Sequence, residues 1–182
     1  MLKDDTLSLP ECWETELELV MLQRPFRTEL QQAYICSPCR ADTTEAALRN
    51  MKAARLYMYY AYKRFEGILP QAPHAYLPVL LSDSFEDERR MALHFGVRLI
   101  RECALMLVCG DRLSDGMRRE VTGAVRHGIP IRVFHQHVHG DIRKHLATEG
   151  LEPDCLQYVD WRLQPALSMN ADELAPYWEE KT

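Results

Sequence analysis

Glu120 and Asp115 are the residues whose type and spacing point most directly to chemistry. They belong to a segment, Gly110-Asp111-Arg112-Leu113-Ser114-Asp115-Gly116, that runs into a helical pattern from Met117 to about His127. At about 100° per residue, Met117, Val121, Ala124 and Val125 define the buried arc of that helix, with Glu120 on its edge. A carboxylate placed there is held by packing yet points toward the mouth of a sheet. Partial burial raises its pKa, whereas the positive end of the helix and nearby donors lower it. Such a group can attack a sugar carbon, as in retaining glycoside hydrolysis. The plainer reading is a boundary residue paired with Arg119 or another arginine. Asp115 reads either as a helix cap or as a second carboxylate that gives or takes a proton at a leaving base. Gly110 and Gly116 suit a loop passing close to a ligand. Ser114 and the backbone N–H groups leading to Met117 are open there to a phosphate. The loop is neither a G-x-G-x-x-G nor a P-loop.

A second group leaves the strand-like run Ala33-Tyr34-Ile35-Cys36-Ser37. Arg40 is able to hold a phosphate or base carbonyl bidentately, or to form a surface ion pair. Asp42 lies beside it, and Ser37 begins the loop. His74, in a proline-rich loop, is a further candidate. His135, His137 and His139 alternate, so an extended chain places all three on one side, as a metal site needs. No carboxylate or cysteine is fixed near them, and no metal or cofactor is expected. Cys36 and Cys39 form a C-x-x-C, but Pro38 and the polar run after Arg40 place it at a strand exit rather than at a helix start. The expectation is packing rather than redox chemistry.

These positions need a frame. Asp42, with Glu45 three residues on, resembles a capping box, and Ala47, Met51, Ala54, Met58, Ala61 and Phe65 form one apolar stripe that Gly67 ends. Ile68-Leu69-Pro70 makes a short second strand. A helix from Ser84 to about Cys103 opens on acidic residues and turns Ala92, Phe95, Leu99 and Cys103 inward. Ala104 to Cys109 is an unbroken apolar run, the mark of a strand covered on both faces. Ile129 to Phe134 forms another strand. The β-α-β-α-β-α-β order implies right-handed crossovers and an α/β fold with a mostly parallel sheet of about five strands. Ligands of such sheets bind beyond the carboxyl ends of the strands, where strand order reverses. Residues 1–30 read as an N-terminal extension, 31–150 as the domain, and 151–182 as an acidic C-terminal extension.

Composition bounds the function. The chain has 182 residues, is 47% apolar and 27% charged, and carries a formal net charge of −5. That charge argues against a large nucleic-acid or anionic-membrane footprint. No apolar run reaches the roughly 20 residues that a membrane span needs. The acidic N-terminus does not read as a secretory signal, so the expected compartment is the cytoplasm.

The strings AYICSPCRAD, APHAYLPVLLSD and VCGDRLSDGMRREVTGA, in that order, resemble the nucleoside 2-deoxyribosyltransferase-like superfamily, in particular its small bacterial and phage members. The likeness runs from about Tyr34 to Phe134. It implies a flavodoxin- or Rossmann-like three-layer sandwich. It also implies that Glu120 attacks the anomeric carbon of a nucleoside or nucleoside 5′-monophosphate, that Tyr34 orients this carboxylate, and that Asp115, or else Asp111, assists the leaving base. Homo-oligomers whose sites include a neighbour's residues are implied as well. The second acid that the family's well-studied transferases carry before the fourth strand has no match here, where the chain reads HFGVRLIRECALM. The alternative on the same fold is a non-catalytic module that binds a nucleotide or an ADP-ribose-type ligand.

Overall fold

The computed structural model of the chain describes residues 30–81, 85–160, 162 and 165–179. The expected N-terminal extension, apart from Leu30, and the Ser84 helix start lie outside the described residues. Five strands form one wholly parallel sheet in the order β2-β1-β3-β4-β5. They are β1 (Gln31–Cys36), β2 (Ile68–Gln71), β3 (Leu105–Val108), β4 (Ile131–Val133) and β5 (Leu156–Tyr158). The helices are α1 (Thr44–Arg64), the short α2 (Leu77–Leu80), α3 (Glu86–Glu102), α4 (Asp115–Arg126), α5 (Gln136–Thr148), α6 (Pro165–Ser168) and α7 (Ala171–Glu179). From β1 the chain moves outward to β2, then returns past β1 to β3, so strand order reverses between β1 and β3. The fold is the expected α/β sandwich.

Period-two alternation divides the core into two layers. Ala33 and Ile35 of β1, Leu107 of β3 and the adjacent Cys109 face Ala53, Ala54, Leu56, Tyr57 and Ala61 of α1, together with Leu167 and Leu174. Tyr34 and Cys36 of β1 and Met106 and Val108 of β3 face the other way. They pack with Ile100, with Met117, Val121 and Ala124 of α4, and with Val138, Ile142 and Leu146 of α5. Strands covered on both faces explain the unbroken apolar runs in the sequence.

Several local expectations are corrected. The cap of α1 is Thr43 rather than Asp42, its Oγ1 accepting from the Ala46 N–H at 3.2 Å. Phe95 does not face inward from α3; it is 45% exposed. Gly96 takes the inner position, where a Cβ would stand in ordinary contact, 3.7 Å from the Tyr34 Oη. The three alternating histidines are not on an extended chain. His135 caps α5 and the other two lie within it, where the helical turn spreads them. His137 meets Asp141 at 3.6 Å, while His139 packs on the Tyr158 ring.

The boundary expected near residue 150 does not mark the edge of the domain. β5 extends the sheet by pairing with β4, and Leu167 and Leu174 are fully buried against α1. Replacing a core leucine by alanine costs about 2–5 kcal/mol through lost burial and the cavity left behind. Leu167→Ala should therefore destabilise the whole domain by about 2–5 kcal/mol in urea denaturation, in a single transition followed by far-UV circular dichroism.

Candidate active site

Tyr34 and Glu120 meet at the carboxyl-terminal half of the sheet, on the face covered by α3, α4 and α5. The Tyr34 O–H donates to Glu120 Oε1 at 2.9 Å. β1 places the phenol by alternation. α4 places the carboxylate because Met117 and Val121 anchor its inner arc, both fully buried, and turn Glu120 toward β1. Ser114 starts this helix, its Oγ accepting from the Met117 N–H at 3.4 Å. Cys36, two residues beyond Tyr34 and on the same face, packs in the same cluster.

The electrostatics follow from this setting. Burial pushes the Glu120 carboxyl up to about 7, against the opposing pull of the nearby Cys36 thiol and of the Tyr34 hydrogen bond. Burial, and then the neighbouring Glu120, hold the Tyr34 phenol well above its ordinary value, so it is protonated and serves as a donor at neutral pH. Glu120 thus changes charge near neutrality, and its side chain is half-buried rather than sealed from water. The alternative pairing with Arg119 is not what the structure shows.

The remaining expected residues divide between two places. Arg40, Asp42, Gly110 and Asp111 line a cleft of about 480 Å³, together with Tyr57, Arg112 and Asn170. Ala53 and Tyr57 belong to the α1 layer, so this cleft opens on the opposite side of the sheet from the Tyr34–Glu120 pair. The tips of β1 and β3 separate the two. Gly110 has φ +90°, and a Cβ there would stand 3.4 Å from both Pro38 and the Tyr57 hydroxyl, so glycine is required. Its N–H donates to the Leu167 carbonyl at 2.9 Å, and Asn170 Nδ2 donates to Asp111 Oδ2 at 3.0 Å. The C-terminal segment therefore clasps the loop that leads to α4.

Ser37 and His74 form a pair of their own, Oγ to Nε2 at 2.7 Å, with Ser37 only 4% exposed. Burial pulls the imidazole down to about 4, so His74 is neutral at physiological pH. Asp115 is not brought to the pair. Its side chain is 99% exposed, and its ion-pair contact among the described residues is Arg118 at 3.9 Å. Gly116 is exposed beside it, and Met117 is buried as an anchor. Cys36, Cys103, Cys109 and Cys155 are free thiols.

Sequence reasoning missed Asn50, Arg49, Arg112 and Asn170 in the cleft, and Cys36 beside Glu120. Asn50 carried a usable signal: it is an amide next to Met51 on the apolar stripe of α1. It is 7% exposed and donates to the carbonyl of Cys39 at 3.1 Å, pinning the β1–α1 loop. Asn170 gave no such signal, because its partner lies 59 residues away.

A doubly wound parallel α/β domain with a phenol-bound carboxylate at its switch point is thus the class to which the structure assigns the chain. Residues 31–134, more than half of it, match a family described as a domain of unknown function (DUF7768), and the chain belongs to that family. No curated protein matches it. Two solved structures are similar. One is a 2-deoxyribosyltransferase from the psychrotolerant bacterium Bacillus psychrosaccharolyticus, 15% identical, the match covering 76% of this chain and 97% of the other with a TM-score of 0.50. The second is a conserved protein from Enterococcus faecalis V583, 12% identical, covering 84% and 99% with a TM-score of 0.46. At 15% identity the first likeness bears on the fold alone.

Because folding raises the Glu120 carboxyl, the native chain holds that proton more tightly than the unfolded chain does. The favourable contribution is complete below the unfolded value and is lost as pH rises toward about 7. Glu120→Gln should therefore gain stability relative to the parent by about 1–3 kcal/mol between pH 4.5 and pH 8, read from paired denaturation curves.

Proposed function

We propose that the chain cleaves or transfers the N-glycosidic bond of a nucleoside or nucleoside 5′-monophosphate, with Glu120 as nucleophile. The observation that carries this reading is the 2.9 Å hydrogen bond from Tyr34 to Glu120 at the point where strand order reverses. The bond fixes the orientation of the carboxylate before substrate arrives, the condition for efficient attack. In the reaction, an oxygen of ionised Glu120 bonds to the anomeric carbon as the bond to the base nitrogen breaks. The base departs with the bonding electron pair and takes a proton from an acid. Water or a second base then attacks the same carbon and releases Glu120 as carboxylate. Asp115 stands in solvent and Asp111 lies in the cleft across the sheet, so the departing base takes this proton from water. The similarity to a deoxyribosyltransferase fold supports the same reading.

A second reading has its own observation. The cleft that gathers Arg40, Arg49, Arg112 and Asn170 lies on the opposite side of the sheet from Glu120, an arrangement suited to binding a nucleotide without chemistry. Under that reading a nucleotide raises the melting temperature in the parent and in Glu120→Gln alike, with no base released.

Chromatography of nucleosides and nucleoside 5′-monophosphates, incubated with and without a second base, separates the two readings. Free or exchanged base is expected from the parent, and Glu120→Ala should lower its release by about 10³-fold or more. Release by Glu120→Ala at the parental rate would remove this glutamate from the mechanism. Only the ionised carboxylate attacks, so kcat/KM should climb with pH and level off above about 7. Tyr34→Phe deletes a donor that favours the ionised form. Its acid limb should move to higher pH, with a loss of about 10-fold or more at pH 7.

A further inference from the structure

We propose that the segment before β1, residues 13–26 in particular, packs along the outer flanks of α3 and completes that layer of the domain. The inference goes beyond the chemistry of Glu120 and stands whether or not base is released. It starts from a helix that buries little of its apolar surface. Among the described residues of α3, Ile100 alone is buried. Phe85, just before the helix, and Met91, Leu93, Phe95 and Val97 along it are 45–64% exposed. These five are half of the large apolar side chains that stand exposed among the described residues. At about 100° per residue, Met91 and Phe95 flank the inner arc on one side, Leu93 and Val97 on the other. A contiguous apolar strip of this kind marks a surface that another element covers.

Position, reach, composition and charge name the occupant. The Ala104 N–H, just past the end of α3, donates to the Gln32 carbonyl at 2.9 Å. The chain before Leu30 therefore departs beside the helix that it covers. Its reach suffices: α3 is about 25 Å long, and residues 13–30 span about that even when helical, more when extended. Trp13, Leu17 and the run Leu19-Val20-Met21-Leu22 supply apolar side chains. Residues 1–29 hold seven carboxylates and three cations, and no cation interrupts Glu11, Glu14, Glu16 and Glu18. Beyond its acidic first turn, α3 carries Arg89, Arg90, Arg98 and Arg101 against Glu102. Arg90 and Arg98 reach Glu86 and Glu102 at 3.5 and 3.4 Å, whereas Arg89 and Arg101 meet no carboxylate among the described residues. A second copy is the rival occupant. A strip roughly 25 Å long and 10 Å wide falls well short of the about 800 Å² a side that a stable dimer buries. A tethered segment also acts at an effective concentration on the order of millimolar, which a free copy does not reach.

The covered helix also bears on the site, because Gly96, on the inner side of α3, stands beside the Tyr34 hydroxyl. Hydrogen exchange of the full chain, read by mass spectrometry at several chain concentrations, tests the contact. Residues 13–26 and α3 should both be protected, to the same degree at every concentration. The double variant Leu17→Asp, Val20→Asp should speed exchange in α3 by about tenfold or more, and Phe95→Asp should do the same to residues 13–26. Leu48→Asp, at a comparably exposed apolar position on α1, should leave both at the parental rate. Phe95 and Leu48 are exposed, so these variants keep the fold, which far-UV circular dichroism checks. The inference is overturned if the double variant leaves α3 exchange unchanged, or if Leu48→Asp loosens both regions as much. It is overturned equally if protection of α3 rises with chain concentration and only Phe95→Asp abolishes it, the result expected of a second copy.

Discussion

A carboxylate taken out of water must be compensated, and the site is organised by that demand. Desolvating a charged group costs several kcal/mol unless protein donors replace the lost hydration. Glu120 is offered a phenol from β1. For it to reach the carboxylate, β1 must present residue 34 to the α4 face, and α4 must be anchored so that its second turn overlies that strand. Compensation remains incomplete, which is why the carboxyl titrates near neutrality and not near its usual acidic range. A group of this kind can hold either charge state at little cost.

The topology places a second feature on the other side of the same strand ends. β1 and β3 are neighbours, and their exits, through Pro38 and Gly110, form one lip of the arginine-bearing cleft. The close approach of Gly110 to Tyr57 and Pro38 and the clasp from Leu167 and Asn170 hold this loop in one shape. The same loop runs directly into α4. The cleft and the buried carboxylate are therefore joined by a short, tied segment of backbone, although they face opposite layers of the core. This gives the C-terminal residues a structural part in the domain.

The similarity to a solved deoxyribosyltransferase extends across most of this chain, yet at 15% identity it speaks to the path of the backbone only. The chemistry has to be argued from side chains. Fold and function separate readily on doubly wound sheets, where the same switch point serves many reactions. What the side chains add to the fold is the pairing of Tyr34 with Glu120 at that point.

Much of this was legible in the residues. The unbroken run before Cys109, the stripe along α1 and the order of elements specified a parallel sheet, because burial on both faces and helical periodicity leave marks that depend on neighbouring positions alone. The placement of Glu120 on the edge of an apolar arc came from the same local geometry. What the residues could not convey was which long-range partner each polar group would find. Asp115 and Asp111 are a few residues apart, yet one is left in solvent and the other is held by an amide near the C-terminus. The histidines after β4 read as extended because a strand was ending, and the start of a helix there was decided by packing of Val138 and Ile142 on the sheet. Phe95 lies outward and Gly96 beside the phenol, because the way α3 sits on β1 is set by contacts between elements distant in sequence. Local periodicity thus determined the elements and their order. Tertiary contact alone decided the charge state of Glu120, since its desolvation and its donors come from parts of the chain that meet only when it folds.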